Sequence, residues 1–314
     1  MGETTNIEWC DANLDLWWKI SGISEVKTWR STLARISRRA KVVGRRLRVV
    51  CQPMSEMFEG PEAMGGFGSE NWKLVSRLQD ELFEVIAEHP ELDFLLLTKR
   101  PENVLGVAHR HDDCDTPGYN WSWPDNVWVG TSVEDQKTAD ERIPELLKIP
   151  AAVRFLSCEP LLGWVDLTRT IWHVSTARGA PTVQGFLPDK NEPDDWRYWI
   201  KRYGIHWVIA GGESGPNARP MHPDWAMSLR DQCEAANVPF YFNGWGEWAP
   251  DESLDPNGAQ LKVISSDREY LNSQGSWEPV YQSPSARVMN RVGKARAGQL
   301  LDGREWSEFP EVNP

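Results

Sequence analysis

A series of short apolar runs, each followed by a loop and often by a stretch with helical spacing, constrains this chain most. The runs are rich in β-branched and aromatic residues, and they are RLRVVC (46–51), DFLLLT (93–98), NVWVGT (126–131), AVRFLS (152–157), HWVIAG (206–211) and VPFYFN (238–243). Nearly continuous apolar strands that alternate with helices are typical of a parallel sheet covered by helices. With a further strand at 7–12, we predict an α/β fold with parallel strands. Its arrangement is a partial or closed (β/α) TIM-like barrel, with a short doubly wound sheet as the alternative.

Three segments between the strands have the periodicity of helices. The segment 69–90 begins with Ser69 as a candidate N-cap and then repeats apolar residues every three or four positions. The segments 135–150 and 222–238 have the same pattern, and the latter carries Pro223 near its start and Asn237 near its end. We predict a helix in each segment.

The composition along the chain predicts two regions. Residues 1–249 form the barrel, interrupted by a loop-rich insertion at 164–204 that contains GAPTVQGFLPDKNEPDDW. Residues 250–314 form a C-terminal extension, which is polar and irregular up to 285 and then holds a short basic helix and a turn at Asp302–Gly303.

The overall composition is that of an ordinary globular chain, with 40% hydrophobic and 25% charged residues among 314. No apolar run has the length of roughly 20 residues that a membrane span needs, and the N-terminus lacks the pattern of a secretory signal. The five cysteines are an odd number without a CxxC spacing, so they do not indicate a disulfide framework. We therefore expect a cytoplasmic protein.

The charge distribution bears on nucleic-acid binding. A net charge of −12 argues against indiscriminate wrapping of DNA, which depends on neutralising phosphates. The segment RISRRAKVVGRRLR (35–48) is strongly basic, in contrast to the net negative charge of the whole chain. It is either a solvated helix face followed by the start of a strand, or a phosphate-binding surface. The candidate phosphate or nucleic-acid ligands are Arg35, Arg38, Arg39, Arg45, Arg46, Arg291, Lys294 and Arg296.

Polar residues follow six of the predicted strands, at the ends that build the active site in barrels. The candidate ligand-binding residues are Ser55, Thr98, Lys99, Arg100, Ser132, Glu134, Ser157, Glu159, Gly211, Gly212, Glu213, Ser214, Arg219, Asn243 and Trp245. Carboxylates at such a mouth would bind ammonium or ribose hydroxyl groups, and Lys and Arg would bind carboxylate or phosphate. The candidate catalytic residues are Glu56, Lys99, Glu159 and Glu213. The alternative is that these side chains cap helices and tie loops together.

A metal site is not expected from the sequence. Cys10, Cys51 and Cys158 each lie near the end of a predicted strand, so three thiolates converging on an iron–sulfur cluster are an alternative. Buried cysteines are more commonly small apolar residues.

Several phrases of the chain, in order, resemble a phage and prophage radical-SAM-like family of unknown function that is described by its three-cysteine motif. They are IEWCDA, MSEMF, LTKRPEN, VWVGTSVEDQKTADERIPELL, VRFLSCEPLLG, WVIAGGESGPNARPM, DWAMSLRDQC and RVGKARAGQLLDGREW. The resemblance implies a radical-SAM-like barrel in which three cysteines hold a [4Fe–4S] cluster and the open iron binds S-adenosylmethionine.

The chain departs from that family at the cluster loop. The family loop has the form W-x-G-C-x6-C-x2-C-Y, and an ungapped placement on Trp17 and Trp18 puts its cysteines at Ile20, Lys27 and Arg30. None of these residues replaces a thiolate ligand of iron. The resemblance is therefore to a divergent member with a degenerate iron–sulfur site, in which a [4Fe–4S] cluster and radical chemistry from this chain alone are not expected.

Three functions follow from these features. In the first, the chain binds an S-adenosylmethionine-like or nucleotide-like ligand at the barrel mouth, together with a phosphate-bearing partner such as nucleic acid or a phage-encoded protein. In the second, it is an enzyme of nucleotide or nucleic-acid modification that uses a relocated cluster or the acids named above. In the third, it is a non-catalytic phage scaffold. A phage origin would place it in the host cytoplasm.

Overall fold

The computed structural model describes residues 7–9, 27–51, 56–109, 123–168, 171–173, 182–184, 204–250, 261–265 and 286–310. The chain divides into two compact units. The first comprises residues 1–131 and 148–154, and the second comprises 132–147 and 155–314.

The first unit is built on parallel strands with helices between them. The strands are β1 (Ile7–Trp9), β2 (Leu47–Cys51), β3 (Leu92–Thr98) and β4 (Val127–Ser132, in this unit up to Thr131), and the helices are α1 (Lys27–Val43), α2 (Glu70–Glu88) and α3 (Pro101–His109). Each strand pairs in parallel with the next, with Val49 opposite Phe94 and Leu95 opposite Trp128. These four side chains are buried, which explains why the strands read as nearly continuous apolar runs.

The second unit combines parallel strands with smaller antiparallel sheets. Its elements are α4 (Gln136–Leu146), β5 (Val153–Cys158, in this unit from Phe155), β6 (Ile171–His173), β7 (Thr182–Gln184), β8 (Trp207–Gly211), α5 (Pro223–Ala236), β9 (Phe240–Gly244), β10 (Trp248–Pro250), β11 (Leu261–Ser265), β12 (Ala286–Arg291), α6 (Lys294–Ala297), β13 (Leu300–Leu301) and β14 (Arg304–Glu305). Strand β8 pairs in parallel with both β5 and β9. Strand β12 pairs antiparallel with β10 and β11.

The three predicted helices are confirmed, and their ends follow local capping chemistry. Ser69 is the N-cap of α2, where its hydroxyl accepts a hydrogen bond from the Trp72 N–H at 3.0 Å. Asp135 caps α4 through a reciprocal capping box with Thr138. Helix α5 has Pro223 at its first position and ends at Asn237, whose left-handed φ of 57° suits a C-terminal cap.

The predicted α/β fold with parallel strands is likewise confirmed. The C-terminal region differs in detail from the sequence-based prediction. Residues 286–291 form strand β12, and the basic helix is a single turn at Lys294–Ala297. The predicted turn at Asp302–Gly303 joins β13 to β14, and both of its residues have positive φ. The domain boundaries at 164–204 and 250 stay a prediction. No helix in the described part of the chain is long and apolar enough to cross a membrane.

Buried Asn126 joins helix α2 to the start of β3. Its Nδ2 lies 3.4, 3.2 and 3.1 Å from the carbonyl oxygens of Ile86, His89 and Leu92, and donates to all three. Because Asn126→Ala removes these buried hydrogen bonds, we expect the free energy of unfolding to fall by about 1–3 kcal/mol. Chemical denaturation measures this change. The exposed Asn217 provides the control, and an equal loss in Asn217→Ala would contradict the assignment.

Candidate functional site

The carboxyl ends of β5, β8 and β9 bring Glu159, Gly211 and Asn243 together in the second unit. The Asn243 side-chain amide donates to both oxygens of Glu159, at 2.9 Å to Oε1 and 2.8 Å to Oε2. A Cβ at Gly211 would lie 3.1 Å from Glu159 Cδ and 3.4 Å from Asn243 Cβ. The glycine therefore leaves the space in which the carboxylate and the amide meet.

The Glu159 carboxylate is in an unusual electrostatic environment. Burial raises the pKa of Glu159, while the Asn243 hydrogen bond and the positive charge of Lys294 act in the opposite direction without cancelling the shift. The pKa of Tyr241, two residues before Asn243 on β9, is raised by burial and by the Glu159 charge. Lys294 itself is exposed on α6. This arrangement is able to bind a hydrogen-bond donor at Glu159 and to retain a proton there above the usual pH range of a carboxyl group.

The cysteine next to Glu159 does not fit a role as a cluster ligand. Cys158 is fully buried, and both burial and the nearby Glu134 charge raise the pKa of its thiol. Iron–sulfur clusters require thiolates, and burial disfavours the charged form of this thiol. Cys51 is half-buried and directs its thiol toward the Val49 carbonyl at 3.9 Å, and Cys10 lies outside the described residues. The described residues contain no group of three His, Cys, Asp or Glu side chains arranged for a metal ion.

Two of the three positions that the resemblance aligns with cluster cysteines lie in a helix. Lys27 and Arg30 belong to α1, and Ile20 lies outside the described residues. The Arg30 guanidinium forms ion pairs with Glu81 at 3.2 Å and Glu88 at 2.8 Å. The Arg30 side chain therefore links α1 to α2 through these ion pairs.

Glu213 and Arg219, both candidates from the sequence, pair with each other. Arg219 donates from Nε to Glu213 Oε2 and from Nη2 to Oε1, each at 2.8 Å, and its backbone N–H donates to Oε2 at 2.7 Å. Such a bidentate ion pair fixes the loop that follows β8. Glu213 is thus already occupied by a cation of the same loop. Ser214 of this loop is exposed.

Residues of β12 and of the turn before β10 form hydrogen bonds with the same loop. Arg291 Nη2 donates to the carbonyls of Gly215 at 3.0 Å and Pro216 at 2.6 Å. Glu247 accepts from the Gly215 N–H at 3.2 Å. Arg291, a predicted phosphate ligand, has a structural contact here, and Arg296 donates to the Val292 carbonyl at 2.8 Å.

Two glycines are required by the packing of this loop against the one after β9. A Cβ at Gly212 would lie 2.0 Å from the Trp245 carbonyl oxygen, and one at Gly246 would lie 2.2 Å from the Glu213 carbonyl oxygen. Trp245 is buried, and its indole N–H donates to the Leu300 carbonyl at 2.8 Å. Close approach between two protein backbones therefore accounts for Gly212, and Trp245 is a core residue.

Three further candidates in the second unit, Ser132, Glu134 and Ser157, form contacts with neighbouring residues of the protein. Glu134 pairs with Arg142 at 2.8 Å, and Arg142 also donates to the Ser132 carbonyl at 2.8 Å. Ser157 is buried, and its carbonyl accepts from the Val133 N–H at 2.9 Å. These contacts hold the start of α4 in place.

The candidates of the first unit meet around Glu56. Its carboxylate accepts from the Thr98 hydroxyl at 2.5 Å, the Phe58 N–H at 2.9 Å and the Lys99 N–H at 2.6 Å. Thr98 is buried and in turn accepts from the Arg100 N–H at 2.8 Å, while the Lys99 and Arg100 side chains are exposed. Glu56 is thus the anchor of the loop after β2. Ser55 lies outside the described residues.

A sequence profile of the family described as "Protein of unknown function (DUF5131)" matches residues 23–310. The chain belongs to this family. No curated protein and no solved structure matches the DUF5131 chain.

Two residues that matter to the site of this DUF5131 protein were not selected from the sequence. Tyr241 shares a face of β9 with Asn243, and the period of two along a strand is the signal that points to it. Glu247 follows the last predicted strand by four residues, but its contact with Gly215 depends on how two loops meet.

The raised pKa of Glu159 has a consequence for stability. A carboxyl group whose pKa is raised by folding stabilises the fold below its ordinary value of 4.5, and this contribution is lost as the pH rises through the folded pKa. We therefore expect Glu159→Gln to become progressively more stable than the unmodified protein as the pH increases from 4.5 to 8. Urea denaturation at a series of pH values tests this.

The control for this experiment is Glu141→Gln, at a carboxylate that is 60% exposed on α4. Its stability difference from the unmodified protein should vary less with pH than that of Glu159→Gln, because most of its side chain is in solvent. A constant difference for Glu159→Gln would show that the environment of Glu159 is not the cause.

Proposed function

We propose that this protein binds a small S-adenosylmethionine-like or nucleotide-like ligand at the carboxyl ends of β5, β8 and β9, without an iron–sulfur cluster. The observation that carries the proposal is the Glu159 carboxylate, which is desolvated at a strand end and held in position by the Asn243 amide. Glu56 and Glu213 are occupied by donors of their own loops, so they contribute less to the argument.

The chemistry of the site favours a ligand with both a donor and an anionic group. In the described part of the chain no Lys or Arg forms an ion pair with Glu159, although desolvation makes an unpaired carboxylate costly. An ammonium or ribose hydroxyl group would provide a further donor to this carboxylate, beside the Asn243 amide. The charge of Lys294 acts on the same carboxylate and is suited to a carboxylate or phosphate of the ligand. Amino-acid moieties and nucleotides both offer this combination.

The resemblance to the three-cysteine radical-SAM-like phage family supports the ligand class and the TIM-like barrel as part of this proposal. The cluster itself is not included. The positions that the resemblance aligns with the cluster cysteines hold Ile20, Lys27 and Arg30, none of which replaces a thiolate, and Cys158 is fully buried, so these residues do not fit a [4Fe–4S] centre.

Acid–base catalysis is a second candidate function, favoured by the same carboxyl group. Strongly perturbed carboxyls in strand-end sites are often proton donors or acceptors, because a raised pKa lets them hold a proton closer to neutral pH. In this case Glu159 would exchange a proton with the bound ligand, and Asn243 would orient the carboxyl group.

Isothermal titration calorimetry with S-adenosylmethionine, S-adenosylhomocysteine and adenosine monophosphate tests ligand binding. We expect at least one of them to bind, and Glu159→Ala to weaken its affinity by roughly 10-fold or more, since a hydrogen bond to a charged group contributes about 1.5–3 kcal/mol. Asn243→Ala should weaken binding less, because the carboxylate remains. Glu141→Ala and Asn217→Ala are the matched controls. Absence of binding for all three probes would favour the scaffold function.

Anaerobic reconstitution with iron and sulfide tests the cluster-free part of the proposal. We expect no broad visible absorbance from a protein-bound cluster, because the positions aligned with the cluster cysteines hold Ile20, Lys27 and Arg30 and Cys158 is fully buried. The comparison is a variant with Cys10, Cys51 and Cys158 all changed to Ala. A stable cluster in the unmodified protein that disappears in this variant would identify a relocated iron–sulfur site and overturn the proposal.

A further inference from the structure

Helix α1 presents a basic surface on the side that faces away from its own unit. Leu33, Ile36 and Ala40 are at most 2% exposed and pack into the first unit. Arg35 and Arg38 lie on the exposed side. The segment 27–48 contains no Asp or Glu, and its cations are Lys27, Arg30, Arg35, Arg38, Arg39, Lys41, Arg45, Arg46 and Arg48. A concentration of positive charge of this kind is unexpected in a chain with a net charge of −12.

Several cations at the border of this surface are neutralised by the protein itself. Arg30 pairs with Glu81 and Glu88, Lys41 pairs with Glu91 at 3.5 Å, and Arg46 pairs with Asp93 at 3.4 Å. These pairs attach the helix and the start of β2 to neighbouring elements.

The cations at the centre of the surface are different. Arg35, Arg38 and Arg45 form no ion pair with any acidic residue in the described ranges. The Arg38 side chain donates from Nε to the Ala34 carbonyl of its own helix at 3.2 Å. Within the described ranges, these three exposed guanidinium groups therefore have no acidic partner.

The spacing of these groups suits a linear polyanion. Arg35, Arg38 and Val42 share one face of α1, since residues three and four apart are neighbours on a helix surface. The helix from Arg35 to Val43 is about 12 Å long, at a rise of 1.5 Å per residue. This is the axial length of about three or four nucleotides of one strand, at 3.4 Å per phosphate.

The geometry argues against a membrane and against a protein partner. A membrane-surface helix inserts its apolar side, and here that side is buried in the first unit. Protein interfaces have an apolar centre, whereas the exposed large apolar side chains here are Val42 and Val43 at the end of the helix. Guanidinium groups are well suited to phosphate, which they bind through paired N–H donors.

We propose that this face of α1, together with Arg45 just beyond the end of the helix, binds the phosphate backbone of a nucleic acid, with Arg35, Arg38 and Arg45 as the contacts. Binding of this type is independent of base sequence, because the backbone carries the charge. The proposal concerns the first unit and does not depend on the small-ligand site of the second.

Fluorescence anisotropy with labelled duplex DNA, duplex RNA and single-stranded DNA of about 20 nucleotides per strand measures this binding. For the duplex DNA probe, three phosphate contacts predict a slope of about −2.7 for the logarithm of the association constant against the logarithm of salt concentration. The affinity should then fall by roughly 40-fold between 50 and 200 mM salt. The three probes distinguish which form of nucleic acid is preferred, and binding of any one supports the proposal.

The decisive variant is the double change Arg35→Gln and Arg38→Gln in the full chain. We expect its affinity to fall by roughly tenfold and its salt slope to decrease by about 2, one for each lost contact. The matched control removes two other exposed cations, Lys73→Gln and Lys137→Gln, which are 60% and 80% exposed. Circular dichroism and thermal unfolding establish that both variants are folded.

Three outcomes would overturn the proposal. One is the absence of binding to all three nucleic acids at 50 mM salt. Another is an equal loss of affinity in the Lys73 and Lys137 control, which would indicate an effect of net charge alone. The third is polyglutamate competing as strongly as nucleic acid of equal charge, which would assign the surface to an acidic protein.

Discussion

Parallel pairing places the carboxyl ends of neighbouring strands at the same edge of a sheet, and the polar chemistry of this protein is arranged around that constraint. The strands themselves are apolar because both of their faces are covered. Side chains that bear charge or hydrogen-bonding groups are therefore concentrated where the strands stop. In the second unit this edge holds Glu159 and Asn243, and in the first it holds Thr98 beside Glu56.

Polar groups at such an edge serve either the loops or a ligand, and their partners distinguish the two uses. Glu56 accepts three hydrogen bonds from its own unit, and Glu213 is held by Arg219, so both carboxylates stabilise loops. Glu159 is held by an amide without an ion pair in the described part of the chain, in surroundings that raise its pKa. This difference is the basis of the ligand-binding site that we propose at Glu159.

The elements of the fold were largely predictable from sequence because they depend on local chemistry. The apolar periodicity and the caps at Ser69, Asp135 and Asn237 act within a few residues of each other. The site was predictable only as a set of candidates. Whether Trp245 stacks on a ligand or fills the core, and whether Arg291 binds phosphate or clamps a loop, depends on partners roughly 55 to 76 residues away.

The sequence alone determined the succession of parallel strands and helices, the polar strand ends and the basic stretch at 35–48. Each of these features depends only on the order and spacing of side chains along the chain. The tertiary structure alone decided which of those polar groups are already satisfied. Burial and hydrogen bonding are set by residues distant in the chain, so only the folded unit shows that Glu213 has a cation partner and that Glu159 keeps a perturbed carboxyl group. The same reasoning distinguishes two exposed arginines of one basic segment. Arg46 pairs with Asp93, whereas Arg35 has no ion pair among the described residues.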